Sequence, residues 1–299
     1  MADERLDAVL PLTAADAERA DILFASLERL FEPLGTGFAV APDDDVNAIE
    51  PRLPQGWIAV PESEVVPEIA WFRATARLRA TLRVVGPPFH GWFVQQLIKL
   101  AIAERVTTRF YLTLDADVIC VRPTRYDDLV PDGRAVVQTA RPNHPEWNDD
   151  AERVLALPRS GRQHAVTPAL LARDAVRDLA AHLERRVDPR LRRLAERVPP
   201  GRARDVLASW RSFLLRSLPW TEYALYHTFL ERTGRFDRFH VLGREDAIYG
   251  NNVWTEDEFE EWQPTAAGPF HFSVVQSAAR IAPARVRAKV DAAATAVAA

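Results

Sequence analysis

The 299-residue chain contains a single cysteine, Cys120. One thiol excludes an intrachain disulfide and any zinc cage built from several cysteines. Long apolar runs are absent as well: no stretch approaches the ~20 residues a helix needs to cross a bilayer. There is no excess of basic charge either. Thirty-eight Lys and Arg stand against 42 Asp and Glu, a net charge of -4, with a pI near 6.0. That balance argues against a general nucleic-acid binder, which usually presents a strongly basic domain, although it leaves room for one local basic surface. The start, Met1-Ala2-Asp3-Glu4-Arg5-Leu6-Asp7, is acidic and precedes no long apolar stretch, so no secretory signal is read and a cytoplasmic protein is expected. Neither an internal repeat nor a Gly/Ser linker divides the chain. With 47% hydrophobic and 27% charged residues, a single α/β domain over residues 1–299 is expected.

Short apolar runs alternate with helical spacing from the start. Residues 8–13 read as a strand. Ala17, Ala20, Ile22, Leu23, Leu27, Leu30 and Phe31 then recur at threes and fours, predicting a helix over 14–32 with Thr13 as its N-cap. Residues 37–41 and 57–60 read as further strands, each closed by a proline. A helix over 91–103 leads into the most apolar strand of the chain, 110–114. Asp115-Ala116-Asp117 and a second apolar run, 118–121, follow it. Another strand is expected at 134–140. Residues 168–218 read as an arginine-rich helical insertion, followed by a helix over 221–233. A last ordered piece covers 268–275, and a tail of about 288–299 is expected to fray.

Asp115-Ala116-Asp117 is the sharpest chemical feature. On extended backbone, side chains two apart point the same way, so both carboxylates can face one site. Two hard anionic oxygens held close together suit Mg²⁺ or Mn²⁺. Burying them between Leu114 and Val118 without a partner would be costly. An acidic turn is the plain alternative, because a bare Asp-x-Asp is a weak motif.

Tyr111-Leu112-Thr113-Leu114-Asp115-Ala116-Asp117-Val118 resembles the strand and D-x-D motif of the GT-A glycosyltransferases, and the resemblance covers most of the chain. It implies a GT-A-like fold, a Rossmann-like mixed sheet flanked by helices. It also implies a metal-dependent transferase of the hexosyltransferase type, with Asp115 and Asp117 holding Mn²⁺ or Mg²⁺ against the diphosphate of a UDP- or GDP-sugar. Gln96-Leu97-Ile98-Lys99-Leu100 is similar to the lysine-bearing helix of family 8, the glycogenin-like group. There Lys99 would face the diphosphate or the transferred sugar, and Gln95 or Gln96 a sugar hydroxyl. The C-terminal histidine that completes that family's metal site is matched by His271. Two departures stand out. After His271 the chain reads Phe272-Ser273-Val274-Val275-Gln276-Ser277, without the family's Gly-x-x-Lys-Pro-Trp. The arginine-rich insertion also has no counterpart. Gly91-Trp92, Gln95-Gln96, Lys99-Leu100 and Trp220-Thr221-Glu222-Tyr223 further resemble a set of uncharacterised bacterial GT-A-like proteins.

Each remaining candidate carries two readings. Lys99 is a ligand-facing cation or a surface lysine on an amphipathic helix; His271 is a metal ligand or a hydrogen-bonded core histidine. Glu222 is an acceptor-site carboxylate or general base, or a first-turn residue serving the helix dipole. Thr13 contacts the nucleotide or caps a helix. Asp44, within Asp43-Asp44-Asp45, holds base or ribose or is solvated. The arginines between 173 and 216 form a salt-bridged surface or touch anionic lipid at the inner face of a membrane. A glycan or lipid-linked acceptor is expected, in surface polysaccharide or glycoconjugate synthesis. Two other activities stay open: a catalytically silent GT-A scaffold, and a metal-dependent nucleotidyltransferase or sugar-nucleotide hydrolase.

Overall fold

A computed structural model describes residues 4–81, 91–139, 144–164, 167–264 and 269–298. Its centre is a five-stranded sheet in the order β3-β2-β1-β4-β7. The strands are β1 (Leu6–Pro11), β2 (Leu34–Ala41), β3 (Trp57–Pro61), β4 (Phe110–Thr113) and β7 (Ala169–Ala172). The first four run parallel and β7 is antiparallel to β4. Two smaller sheets pair β5 (Val118–Cys120) with β9 (Phe272–Val274), and β6 (Ala135–Gln138) with β8 (His240–Gly243). The expected α/β architecture is the one the chain forms.

Every residue of β1 and β4 is buried, as parallel strands covered on both faces require. Helix Ala17–Leu30 turns Ala20, Leu23 and Leu27 inward, and Phe24 meets the Trp57 ring edge-on at 4.9 Å. Gly37 stands opposite Trp57 in the β2–β3 register, where any side chain would collide with the indole. Helix Gly91–Ala101 buries Phe93, Val94, Leu97 and Ile98.

Two expectations about regions are corrected. The stretch 168–218 begins inside the sheet: Ala169-Leu170-Leu171-Ala172 is the edge strand β7, since four apolar residues satisfy a strand as well as a helix. The helices of that region, Arg173–Arg186, Pro189–Ala195, Arg202–Ala208 and Trp210–Arg216, follow it. Of the tail expected to fray, residues 288–298 are instead part of helix Pro283–Ala298, and residue 299 lies outside the described residues. Val286 and Val290 are buried in a second core with Ile22, Phe259 and Trp262, worth about 1.5–3 kcal/mol for each valine. Lys289 Nζ donates to the Glu260 carbonyl at 2.7 Å. Among the described residues no helix is long and apolar enough to cross a membrane.

Candidate active site

In β1, β2 and β4 the chain runs the same way, so their carboxyl ends share one edge of the sheet. Residues 12–14, 42–45 and 114–117 follow these strands there. The connections from β1 build outward through β2 to β3, whereas β4 lies on the other side of β1. Beyond the carboxyl ends at such a reversal, an open α/β sheet forms its ligand crevice. Asp115 lies at that point.

Helix Gly91–Ala101 sends Lys99 into it. Gln96 and Lys99, one turn apart, share a buried face, and only 1% of Lys99 is exposed. Its ammonium sits 2.8 Å from Asp115 Oδ1 and 3.3 Å from Glu222 Oε1, and donates to Thr167 Oγ1 at 2.7 Å. Burial alone would lower the Lys99 pKa; Asp115, with Tyr223 and Glu222, outweighs it and raises the pKa above its ordinary value. Lys99 is therefore a permanent buried cation, and its surface reading falls. Tyr111 of β4 donates its hydroxyl to the Lys99 carbonyl at 2.7 Å, tying the helix to the strand that delivers Asp115.

The hydroxyls beside Lys99 form a directed chain. Thr113 donates to the Ala169 carbonyl (2.9 Å), so it must accept from Tyr223 (2.7 Å). Tyr223 then has only its oxygen left for Thr167 (2.8 Å), and Thr167 in turn accepts from Lys99. Each donor is used once. Glu222 opens helix Glu222–Arg232, where Thr221 takes the capping role by accepting from Ala224 N at 3.3 Å. The Glu222 carboxylate faces Lys99, and the Gln96 amide, oriented to donate, bonds it as well. Burial lifts the Glu222 pKa above the usual carboxylate range; Lys99 opposes that shift and Asp115 adds to it.

Asp117 accepts from Ser277 N at 3.0 Å through Oδ2. Burial, then the charge of Asp115, pushes its pKa up to about 6. Asp115 Oδ1 is engaged by Lys99, so each carboxylate keeps one oxygen for a ligand. Two carboxylate oxygens, completed by phosphate oxygens and water, fit Mg²⁺ or Mn²⁺, which are commonly held by one or two carboxylates plus substrate phosphates. Among the described residues, no three of His, Cys, Asp and Glu are placed to hold one ion.

A sequence model of one family matches residues 3–297. The chain belongs to it: DUF6492, a family of unknown function. No curated protein matches. Among solved structures, this DUF6492 chain is similar to the galactosyltransferase LgtC in complex with donor and acceptor sugar analogs, at 8% identity and TM-score 0.47, covering 96% of each chain. It is also similar to mouse xyloside xylosyltransferase 1, at 12% identity and TM-score 0.47, covering 93% of this chain and 99% of that one. A third is apo GlyE of Streptococcus pneumoniae TIGR4, at 12% identity and TM-score 0.41, covering 90% of this chain and 54% of that one. Identities this low transfer no residue roles, so the chemistry of this DUF6492 protein has to be read from its own site.

Not every expected residue arrives there. His271 does not reach the carboxylate pair. Val275 N donates to the Asp117 carbonyl at 3.0 Å, and His271 lies four residues back along β9, roughly 13 Å at ~3.3 Å per residue. Its Nδ1 is 2.8 Å from Thr124 Oγ1, which donates to the Arg122 carbonyl and so accepts from the imidazole. It is a hydrogen-bonded core histidine. Thr13 stands on the ligand edge, but its hydroxyl donates to Asp16 Oδ2 (2.7 Å) and caps no backbone N–H. Asp44 is exposed on the same edge; the neighbour that reaches across is Asp45, accepting from Ala14 N at 2.9 Å. Trp220, Tyr223 and Tyr226, which follow or flank Glu222 in sequence, are core residues with at most 4% exposure. Of these Tyr223 still borders the cleft, and the other rings that line it, Trp92, Trp147 and Trp254, come from three separate segments. Trp92 belonged to a recognisable motif; Trp147, Trp254 and Thr167 carried no sequence signal.

Proposed function

We propose that this site transfers a sugar from a nucleotide-diphosphate sugar to an acceptor hydroxyl, as a metal-dependent glycosyltransferase of the GT-A type. The observation that carries it is Asp115 at the reversal of strand order, holding a buried Lys99 through Oδ1 while lining the cleft. In the reaction, the acceptor oxygen bonds to the anomeric carbon, the bond from that carbon to the phosphate oxygen breaks, and the nucleoside diphosphate leaves with the electron pair. Asp115 and Asp117 would hold Mg²⁺ or Mn²⁺, which supplies Lewis-acid stabilisation to the departing diphosphate. Lys99, fixed by Asp115, Glu222 and Thr167, places a second positive charge near that leaving group without reorganising. Glu222 serves the acceptor side, where a carboxylate of raised pKa binds the incoming hydroxyl or takes its proton.

The donor class we assign is a UDP- or GDP-sugar and the acceptor a glycan, with the loops after β1 and β2 (Thr13, Asp44) available to the nucleoside. Arg185, Arg186, Arg190 and Arg193 are exposed on the helical insertion, which supports contact with an anionic membrane surface on the cytoplasmic side. A thermal-shift screen of nucleoside diphosphates with and without Mn²⁺ tests the core of this reading. A ligand that binds only the folded state raises its melting temperature. UDP or GDP should do so only with the metal, and no shift from any nucleotide would remove the reading.

A further inference from the structure

Trp254 is 56% exposed, Trp92 40% and, outside the cleft, Trp71 47%, while Trp57, Trp210, Trp220 and Trp262 are buried. Leaving an indole in water forgoes one of the largest burial gains available to a side chain. Trp254 is nonetheless held on a fixed backbone. Val253 N donates to the Val274 carbonyl at 2.9 Å and Trp254 N to Glu258 Oε2 at 2.6 Å, and Thr255 with Glu258 forms a capping box immediately after. Trp147 sits in the first turn of helix Pro145–Leu155, its ring stacked on His144 with centroids 4.2 Å apart and planes at 15°. Both rings line the cleft that contains Glu222 and Asp117. A ring stacked as that of Trp147 is, and a backbone held as that of Trp254 is, leave less to be ordered when a partner binds.

The charge of the cleft narrows the partner. Asp115, Asp117 and Glu222 line the cleft, no Lys or Arg among the described residues does, and Lys99 lies behind Asp115 and Glu222. With a divalent cation on the aspartates offset by the donor's own diphosphate, the excess stays negative, so a carboxylate or phosphate on the acceptor meets repulsion. An uncharged pyranose meets none. Its C–H faces are apolar and weakly positive, matching the negative face of an indole, and its rim of hydroxyls matches Glu222, Gln96 and Thr221. No residue of the β1 or β2 loops lines this cleft among the described residues, which separates it from the nucleoside edge.

We propose that the Trp147–Trp254 cleft is an acceptor subsite for an uncharged pyranose at the end of a glycan, stacked on the indoles with its reacting hydroxyl toward Glu222. This rests on the transferase reading above and adds the acceptor class to it.

The test compares wild type, Trp254→Ala, Trp147→Ala and Trp254→Phe by calorimetry and saturation-transfer NMR. Cellobiose, maltose and lactose serve as neutral probes, aldobiouronic acids as charged ones, and UDP or GDP with Mn²⁺ as the donor-side control. At least one neutral disaccharide should bind, and its uronic acid counterpart at least ten-fold more weakly. Each alanine variant should lose ten-fold or more in disaccharide affinity, Trp254→Phe two- to three-fold, and nucleotide affinity should stay within two-fold. Unchanged disaccharide affinity in both alanine variants overturns the inference. So does tighter binding of the charged probes, or an equal loss of nucleotide affinity, which would move the indoles to the donor. If nucleotide binds with metal but no neutral disaccharide does, the subsite falls while the transferase reading stands. If neither binds, both fall.

Discussion

Asp117→Asn should make the protein more stable while disabling it. Asp117 is mostly buried and lies two residues from a second carboxylate, so its ordinary pKa of 3.8 is pushed up to about 6. The native state therefore binds a proton more tightly than the unfolded chain. Keeping Asp117 ionised above that pKa costs the fold about 3 kcal/mol, 2.303RT times the difference. The penalty is fully present above about pH 6, fades as the pH falls, and is gone below 3.8, where both states are protonated. Asparagine removes the charge and keeps an oxygen for Ser277 N. At pH 8 in EDTA the variant should gain about 2–3 kcal/mol, raising Tm by about 5 °C for a chain of this size. The gain should vanish near pH 4. Chemical denaturation from pH 4 to 8 measures it, and calorimetry with UDP or GDP and Mn²⁺ measures the loss, since an amide lacks the anionic oxygen a hard cation needs. A variant no more stable than wild type at pH 8, or equally stabilised at pH 4, refutes the electrostatic argument. Unchanged metal-dependent nucleotide binding removes Asp117 from the site.

Three further outcomes are expected. Glu222→Gln should lower transfer by about 100-fold or more with nucleotide affinity little changed; normal turnover would take Glu222 off the acceptor side. His271→Ala should leave Mn²⁺-dependent nucleotide affinity unchanged and cost about 1 kcal/mol of stability for the lost Thr124 bond, whereas a drop in metal affinity in calorimetry would restore it as a ligand. Burial pushes the His240 pKa from 6.5 down to about 3, so its contribution is present above pH 6.5 and is lost as the pH falls. By pH 5 the loss is about 2 kcal/mol, and urea titrations should show His240→Asn flattening the stability–pH slope by about 1.4 kcal/mol per pH unit between 6 and 4.

The parts of this protein legible in its sequence are those set by neighbours along the chain. The continuous apolar run before Asp115 reads as a strand covered on both faces, and β4 is that strand. Spacing at threes and fours located helix Ala17–Leu30, and a helix read over 91–103 matches Gly91–Ala101. The same period set Gln96 and Lys99 on one face, although it could not say whether that face was wet or dry. Tertiary packing decided that, by bringing Asp115, Glu222 and Thr167 from strand, helix and loop to one ammonium. His271 failed for a related reason. A motif gives a residue type, but the antiparallel register of β5 and β9 decides which residue lies beside Asp117, and it selects Val275, just past the end of β9. Likewise Ala169-Leu170-Leu171-Ala172 reads equally well as helix or strand until β4 offers an unpaired edge. The aromatic surroundings of Glu222 were the least legible part. Of the rings beside Glu222 in sequence, Tyr223 borders the cleft while Trp220 and Tyr226 went into the core. Beside Tyr223, the rings that line the cleft came from residues 92, 147 and 254. A chain determines its local periods and its local chemistry; which distant residues meet is settled by how strands pair and helices pack, because those contacts join positions that no sequence spacing relates.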